Sequence, residues 1–153
     1  MRNKRGLLIQ QLDRKLKLFQ EAATVRVPST GWINSIRTAL NMTMAQLGSR
    51  LDITRQGVRQ LEINEAGGQI TINRLREVGL ALDMQFVYGF VPIDGSIEKM
   101  IDRKAEELAK SIVLRTNQSM RLEDQGISDD KIKESIKDLA FEIKREMRKS
   151  LWD

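Results

Sequence analysis

The chain has 153 residues, 41% of them hydrophobic and 31% charged, with a formal net charge of +5. That is enough for one globular domain, or for a small domain with extensions. No run approaches the roughly 20 apolar residues of a membrane span, and a basic start whose apolar run breaks at Gln10 and Gln11 does not make a signal peptide. There is no cysteine, which excludes disulfides, thiolate metal sites and thiol nucleophiles and fits a reducing cytoplasm. There is no histidine either, so the commonest general base and metal ligand is missing. No Asp/Glu pair stands out as a catalytic couple. The expectation is a cytoplasmic non-enzyme with no metal and no cofactor.

Charge is distributed unevenly. Residues 1–40 carry eight Lys/Arg against two acids, residues 41–90 five against five, and residues 91–153 thirteen against fourteen. The basic first quarter suits an anionic partner such as phosphate, or else a solvated helix face.

Residues 6–23 form the first expected helix. Leu8, Leu12, Leu16, Phe19 and Ala23 recur at steps of three or four, with Arg14, Lys15 and Lys17 mostly off that stripe. The stripe should dock an N-terminal helical arm, residues 1–30, on the rest of the protein. Thr24 to Pro28 reads as extended, because Val and Thr favour the β region and Pro28 pushes Val27 there. A loop at Ser29, Thr30 and Gly31 follows, with Ser29 or Thr30 available as a cap. The next helix runs from Trp32 to Leu40, with Trp32 or Ile33, Ile36 and Leu40 facing inward, and ends at Asn41-Met42.

From Thr43 to Ile63 two short amphipathic segments meet with almost nothing between them. Met44, Leu47, Gly48 and Leu51 fall at helical spacing behind a Thr43 N-cap. Val58, Leu61 and Glu62 share a face behind a Thr54 cap. The linker, Asp52 and Ile53, is too short for antiparallel helices, so the pair must cross steeply, as in a helix-turn-helix. Gly48 supplies the small residue such a crossing needs, and Ile53 closes the corner. Leu47, Gly48, Leu51, Ile53, Val58 and Leu61 are the expected core of the motif.

Paired glycines at 67 and 68 break the chain, and Thr71 caps a helix from Ile72 to Leu82 that buries Leu75, Val78 and Leu82 beside Ala81. Gly79 within it predicts a close packing contact, since glycine there costs roughly 1 kcal/mol against alanine. At Met84 the period changes to two: Met84, Phe86, Tyr88 and Phe90 alternate with Gln85, Val87, Gly89 and Val91 until Pro92. This predicts a short strand over residues 84–92, and a lone strand needs a partner. Thr24–Pro28 is one candidate; the same strand of a second subunit, giving a two-fold dimer, is the other.

The C-terminal region, residues 93–153, reads as two helices. One carries Ile97, Ile101, Ala105, Leu108, Ile112 and Val113. The other opens at Ser128 with Asp129 and Asp130 and carries Ile132, Ile136, Leu139, Ala140, Ile143 and Met147. Leu151 and Trp152 are expected to dock.

A second helix of such a motif presents its N-terminal side chains to base edges in the major groove. Here these are Thr54, Arg55, Gln56, Gly57, Arg59 and Gln60. Arg pairs bidentately with guanine and Gln with adenine, so Arg55, Gln56, Arg59 and Gln60 are the expected base readers. Thr43, Arg50 and Thr54 suit phosphate contacts, together with the backbone N–H groups beside Thr43. Tight helical corners also occur in proteins that never touch DNA. An exposed Arg/Gln-rich face with no acid before Glu62 favours DNA.

On Leu47, Gly48, Leu51, Ile53, Val58, Leu61 and Glu62, residues 32–82 resemble the Cro/lambda-repressor-type (XRE) helix-turn-helix domain. That resemblance implies a five-helix bundle for residues 31–83, with Arg55, Gln56 and Gln60 on base-contact positions and Arg59 beside them. Many members carry Gln where this chain has Met44, which cannot make the same backbone hydrogen bond to DNA. More narrowly, the chain resembles the bacterial family called mobile mystery protein A. The likeness lies in Gln11-Leu12-Asp13, Gly31-Trp32-Ile33, Ile70-Thr71, Tyr88 to Pro92, Leu122-Glu123-Asp124-Gln125 and Leu151-Trp152-Asp153. It implies a gene paired with a Fic-domain protein in a toxin–antitoxin-like operon. Ser119-Met120-Arg121-Leu122-Glu123-Asp124 resembles the Ser/Thr-x-x-x-Glu-Gly/Asn inhibitory pattern with a mismatched last residue, which would make Ser119 and Glu123 Fic-inhibitory; a helix end before Gly126 is the plainer reading.

The sequence therefore predicts a mainly α protein: a five-helix lambda-repressor-like bundle with an N-terminal helical arm, one short β-strand and a C-terminal helical extension. Its expected role is that of a dimeric, sequence-specific, autoregulatory and antitoxin-like repressor on a pseudo-palindromic double-stranded operator. The alternative is an inhibitor of a Fic-domain protein whose helix-turn-helix is scaffold.

Overall fold

The computed structural model describes the backbone of residues 2–122 and 128–153, and the side chains of residues 4–119 and 128–153. Within it the chain is mainly helical: α1 (Arg2–Lys17), α2 (Trp32–Ala39), α3 (Met44–Leu51), α4 (Arg55–Ala66), α5 (Ile72–Ala81), α6 (Ile97–Leu122) and α7 (Asp129–Glu146), with short 3-10 turns at Glu21–Thr24 and Lys149–Trp152. It divides into two compact units, Thr24–Gly89 and Met1–Ala23 with Phe90–Asp153. The N-terminal arm thus groups with the C-terminal helices instead of standing apart.

In the Thr24–Gly89 unit, α2 to α5 close around Ile33, Leu47, Val58, Leu61, Val78 and Leu82, all buried. Threonine starts three of the four helices. Thr43, Thr54 and Thr71 each accept, through the side-chain oxygen, the N–H of the residue three further on, at 3.1 Å. Asn41, Asp52 and Asp83 end α2, α3 and α5 in the left-handed region. In each case the next N–H donates back five residues: Met42 to Arg37, Ile53 to Gly48 and Met84 to Gly79. Short polar side chains tolerate this conformation, so the turns need no glycine.

Four points differ from the sequence expectations. The unit has four α-helices among the described residues, not five. No strand occurs among them either. Met84 to Gly89 has no ladder partner, and neither has the run from Val25 to Pro28, while Thr24, expected to be extended, closes the 3-10 turn. Of the alternating set only Phe86 is half-buried, and Met84, Tyr88 and Phe90 are exposed. A Cβ on Gly79 would meet the Met84 carbonyl oxygen and the Phe86 nitrogen at 3.3 Å, so the backbone of this segment is the close contact the glycine foretold. Phe86 and Tyr88 stack at 6.1 Å, and Arg76 lies 5.5 Å above the Tyr88 ring. In α2, Ile33 is buried while Leu40 is 52% exposed, because the helix ends before Leu40 can turn inward. Finally, α2 is capped by neither Ser29 nor Thr30. Glu65, from α4, accepts the N–H groups of Trp32 (2.9 Å) and Ile33 (2.7 Å). Gly31, at φ 86°, makes room, since a Cβ there would lie 2.6 Å from the Glu65 carboxylate.

In the other unit α6 and α7 pack around Ile101, Ala105, Ala109, Ile143 and Leu151, where the two alanines allow a close approach. Ile132 is also buried, whereas Ile112 is 38% exposed. Leu151 docks as expected, but Trp152 is 55% exposed. The docking face of α1 is displaced from its predicted stripe. Leu8 and Leu12 are exposed, while Ile9 packs on the core and Asp13 caps α6, accepting N–H from Ile97 (2.7 Å) and Glu98 (3.3 Å). Leu16 and Phe19 are half-buried. The crowded apolar run from Leu7 to Ile9 offers several overlapping stripes, and a carboxylate needed at the α6 N-terminus selects among them.

Candidate nucleic-acid interface

The corner between α3 and α4 is built around Gly48. A Cβ there would lie 2.7 Å from the Ile53 carbonyl oxygen and 3.3 Å from both the Thr54 oxygen and a Val58 methyl. The small residue is needed where the turn itself folds back on α3. Leu47 and Val58 are fully buried and Leu61 nearly so, while Leu51 and Ile53 are half-buried against them. Gly57 faces this corner, since its Cβ would meet Ile53 at 3.3 Å.

With Val58, Leu61 and Glu62 turned inward, Arg55, Gln56, Arg59 and Gln60 lie on the exposed side of α4. Arg55 and Arg59 are one turn apart, roughly 6 Å along the axis. Ile63, 53% exposed, continues their row, a neighbour that sequence reasoning did not pick out. Arg55, Gln56 and Arg59 make no ion pair or side-chain hydrogen bond among the described residues. Gln60 differs, because its amide donates to Asn64 at 2.9 Å. That i,i+4 pair was available in the sequence.

The acids of α4 are all engaged elsewhere. Glu62 is buried and accepts from the Arg37 guanidinium through two nitrogens, and from the Asn34 amide at 3.1 Å. Arg37 also donates to the Met42 carbonyl at 2.9 Å. Glu65 caps α2. Elsewhere in the unit, Glu77 pairs with Arg74 and Asp83 with Arg50. The even charge count of residues 41–90 therefore hides a partial segregation: Arg55 and Arg59 have no acid partner among the described residues, with exposed Asp52 in the turn before α4 as the one acid near them.

The three expected phosphate donors sit differently. Thr43 and Thr54 are exposed caps whose oxygens accept backbone N–H groups, which leaves each hydroxyl hydrogen free to donate. Gln46 completes a capping box by accepting the Thr43 N–H at 2.8 Å. Met44, where the XRE pattern often has Gln, packs against the core. Arg50 is half-exposed and held at the end of α5, donating to the Ala81 carbonyl at 3.0 Å and Asp83 at 3.3 Å. Its other guanidinium nitrogens remain for a phosphate. Ser119 is exposed, and its hydroxyl donates to the Arg115 carbonyl at 3.3 Å. Glu123 lies outside the described residues. Among those described, no cluster of acids could hold a metal and no helix is long and apolar enough to cross a membrane.

No protein-family model, curated protein or solved structure matches the chain.

Proposed function

We infer that the protein binds double-stranded DNA sequence-specifically, with α4 in the major groove, and acts as a repressor. One observation carries this reading. Arg55, Gln56 and Arg59 are exposed on the first turns of α4 with no side-chain partner among the described residues, while both acids of that helix point inward and are occupied. A helix about 10–12 Å across fits the roughly 12 Å major groove, and donors so placed match guanine and adenine edges. Thr43 and Thr54, at the starts of α3 and α4, supply hydroxyls to flanking phosphates. The basic N-terminal arm, residues 1–30, adds sequence-independent attraction.

The repressor acts as a homodimer on a pseudo-palindrome with half-sites about 34–36 Å apart. The segment after α5 supports dimerisation, since its backbone from Gln85 to Gly89 is unpaired among the described residues and Val87 is 63% exposed. Pairing two copies would complete the strand that the alternating pattern prescribes. The likeness to mobile mystery protein A extends the proposal to an autoregulatory, antitoxin-like role beside a Fic-domain protein in a cytoplasmic operon.

A gel-shift titration with the promoter of the protein's own operon, against a scrambled duplex of equal length, tests the reading. Tighter binding to the promoter is expected; equal affinity for both would remove sequence specificity. Absence of DNA binding, with inhibition of the neighbouring Fic protein, would favour the scaffold reading instead.

A further inference from the structure

The unit containing α1, α6 and α7 holds a cleft of about 500 Å³ between α1, the start of α6 and the end of α7. Small-molecule sites commonly occupy about 300–1,000 Å³. Ile9, Ile101 and Met147 give the cleft an apolar floor, and Phe141, 66% exposed, forms a wall.

Gly6 also lines it, within α1. A Cβ built on Gly6 meets nothing within 4 Å, so no close contact demands glycine there. Glycine in a helix interior still costs about 1 kcal/mol against alanine. Its consequence here is open space at a position that lines the cleft, which a larger side chain would take up.

The charged groups at the rim narrow the ligand class. Arg5, Lys144 and Arg145 face Glu98 and Glu146 around the opening. Lys144 is held by Asp102 at 2.6 Å and Glu98 at 3.5 Å, Arg145 by Glu142 at 2.6 Å, and Glu146 by Arg148 at 2.7 Å. Arg5 alone of the five has no ion pair or hydrogen bond among the described residues. Charge around the opening balances as a whole, because Lys144 is shared by two acids, but the rim offers one guanidinium without a partner among the described residues beside an apolar surface, which suits a single anionic head on an apolar body.

We propose that this cleft binds a small amphipathic carboxylate, its hydrocarbon or aromatic body over Ile9, Ile101, Phe141 and Met147 and its carboxylate on Arg5. The site lies within one compact unit and stands independently of the DNA-binding reading.

The test is a fluorescence titration of the full chain with anilinonaphthalene sulfonate, followed by displacement with decanoate and with decanol. Saturable one-site binding is expected. Decanoate should displace the dye at concentrations at least about tenfold lower than decanol, as a charge-assisted bond to Arg implies. Arg5→Gln should erase that preference. Gly6→Leu should abolish binding while retaining the helical circular-dichroism signal. Phe141→Ala, at an exposed position, should weaken binding with the melt unchanged and serves if Gly6→Leu unfolds. The proposal is overturned by non-saturable dye binding, by equal displacement by acid and alcohol, or by unchanged affinity in Gly6→Leu or Phe141→Ala. Displacement only by a peptide or by a second copy of the chain would likewise exclude it.

Discussion

The two compact units use charge differently. In the Thr24–Gly89 unit two carboxylates face inward, Glu62 buried against Arg37 and Glu65 reaching from α4 to cap α2, while Glu77 and Asp83 pair at the surface. In the unit of α1, α6 and α7 the ion pairs are largely exposed, as with Arg103 between Asp94 and Glu107, or Lys144 between Asp102 and Glu98. An inward pair fixes how helices meet and removes an acid from the surface. An exposed pair does neither, because water and salt screen it. Charge counts along the sequence therefore say little until the partners are known: a neutral stretch can still present a basic face.

The sharpest way to break this comparison is Glu62→Ala. It strands the Arg37 guanidinium, which is only 12% exposed, without its carboxylate. A loss of about 3–5 kcal/mol is expected. Urea unfolding followed through Trp32, in a Trp152→Phe background, reads it; a loss below about 1 kcal/mol would show the pair to be no more than surface-like. Replacing both partners together, Arg37→Met with Glu62→Leu, should recover most of the stability.

Gly48→Ala comes next, at about 1–3 kcal/mol in the same assay, because its methyl meets backbone that cannot rotate away. Unchanged stability would mean that the turn can shift without cost.

The smallest effects belong to the exposed pairs. Lys144→Gln should cost less than about 1 kcal/mol. The hydrogen bond that Lys144 donates to Asp102 raises the Lys144 pKa. Its contribution is therefore complete below the ordinary lysine value of about 10.4 and is lost as pH rises through the higher folded value. The Arg103 fork on Asp94 lowers that carboxyl's pKa. Its contribution is present above the ordinary value of about 3.9 and is lost as pH falls through the depressed folded value. Thermal melts of wild type and Lys144→Gln across alkaline pH should converge; a constant gap would contradict the assignment.

Local signals were legible in the sequence. The Thr43, Thr54 and Thr71 caps, the Gly48 corner, the close contact at Gly79 and the inward face of α4 all follow from spacing over a few residues. What could not be read depends on distant partners. Glu65 caps a helix more than thirty residues earlier, and Asp13 caps one more than eighty later. The face of α1 was misplaced for the same reason, since apolar period alone does not know that α6 needs Asp13. The alternation at 84–91 marks neither a ladder nor a buried face among the described residues: Phe86 is half-buried, while Met84, Tyr88 and Phe90 stay exposed.

On the proposed reading, the outward face of α4 reads DNA because its acids are turned away. Selection from a random duplex library, run in parallel on wild type and Arg55→Ala, tests it most directly. Wild type should enrich a two-fold motif, and Arg55→Ala should relax one base pair in each half-site at a cost of about 1–3 kcal/mol. No enrichment by wild type, or an identical motif from both proteins, would contradict it.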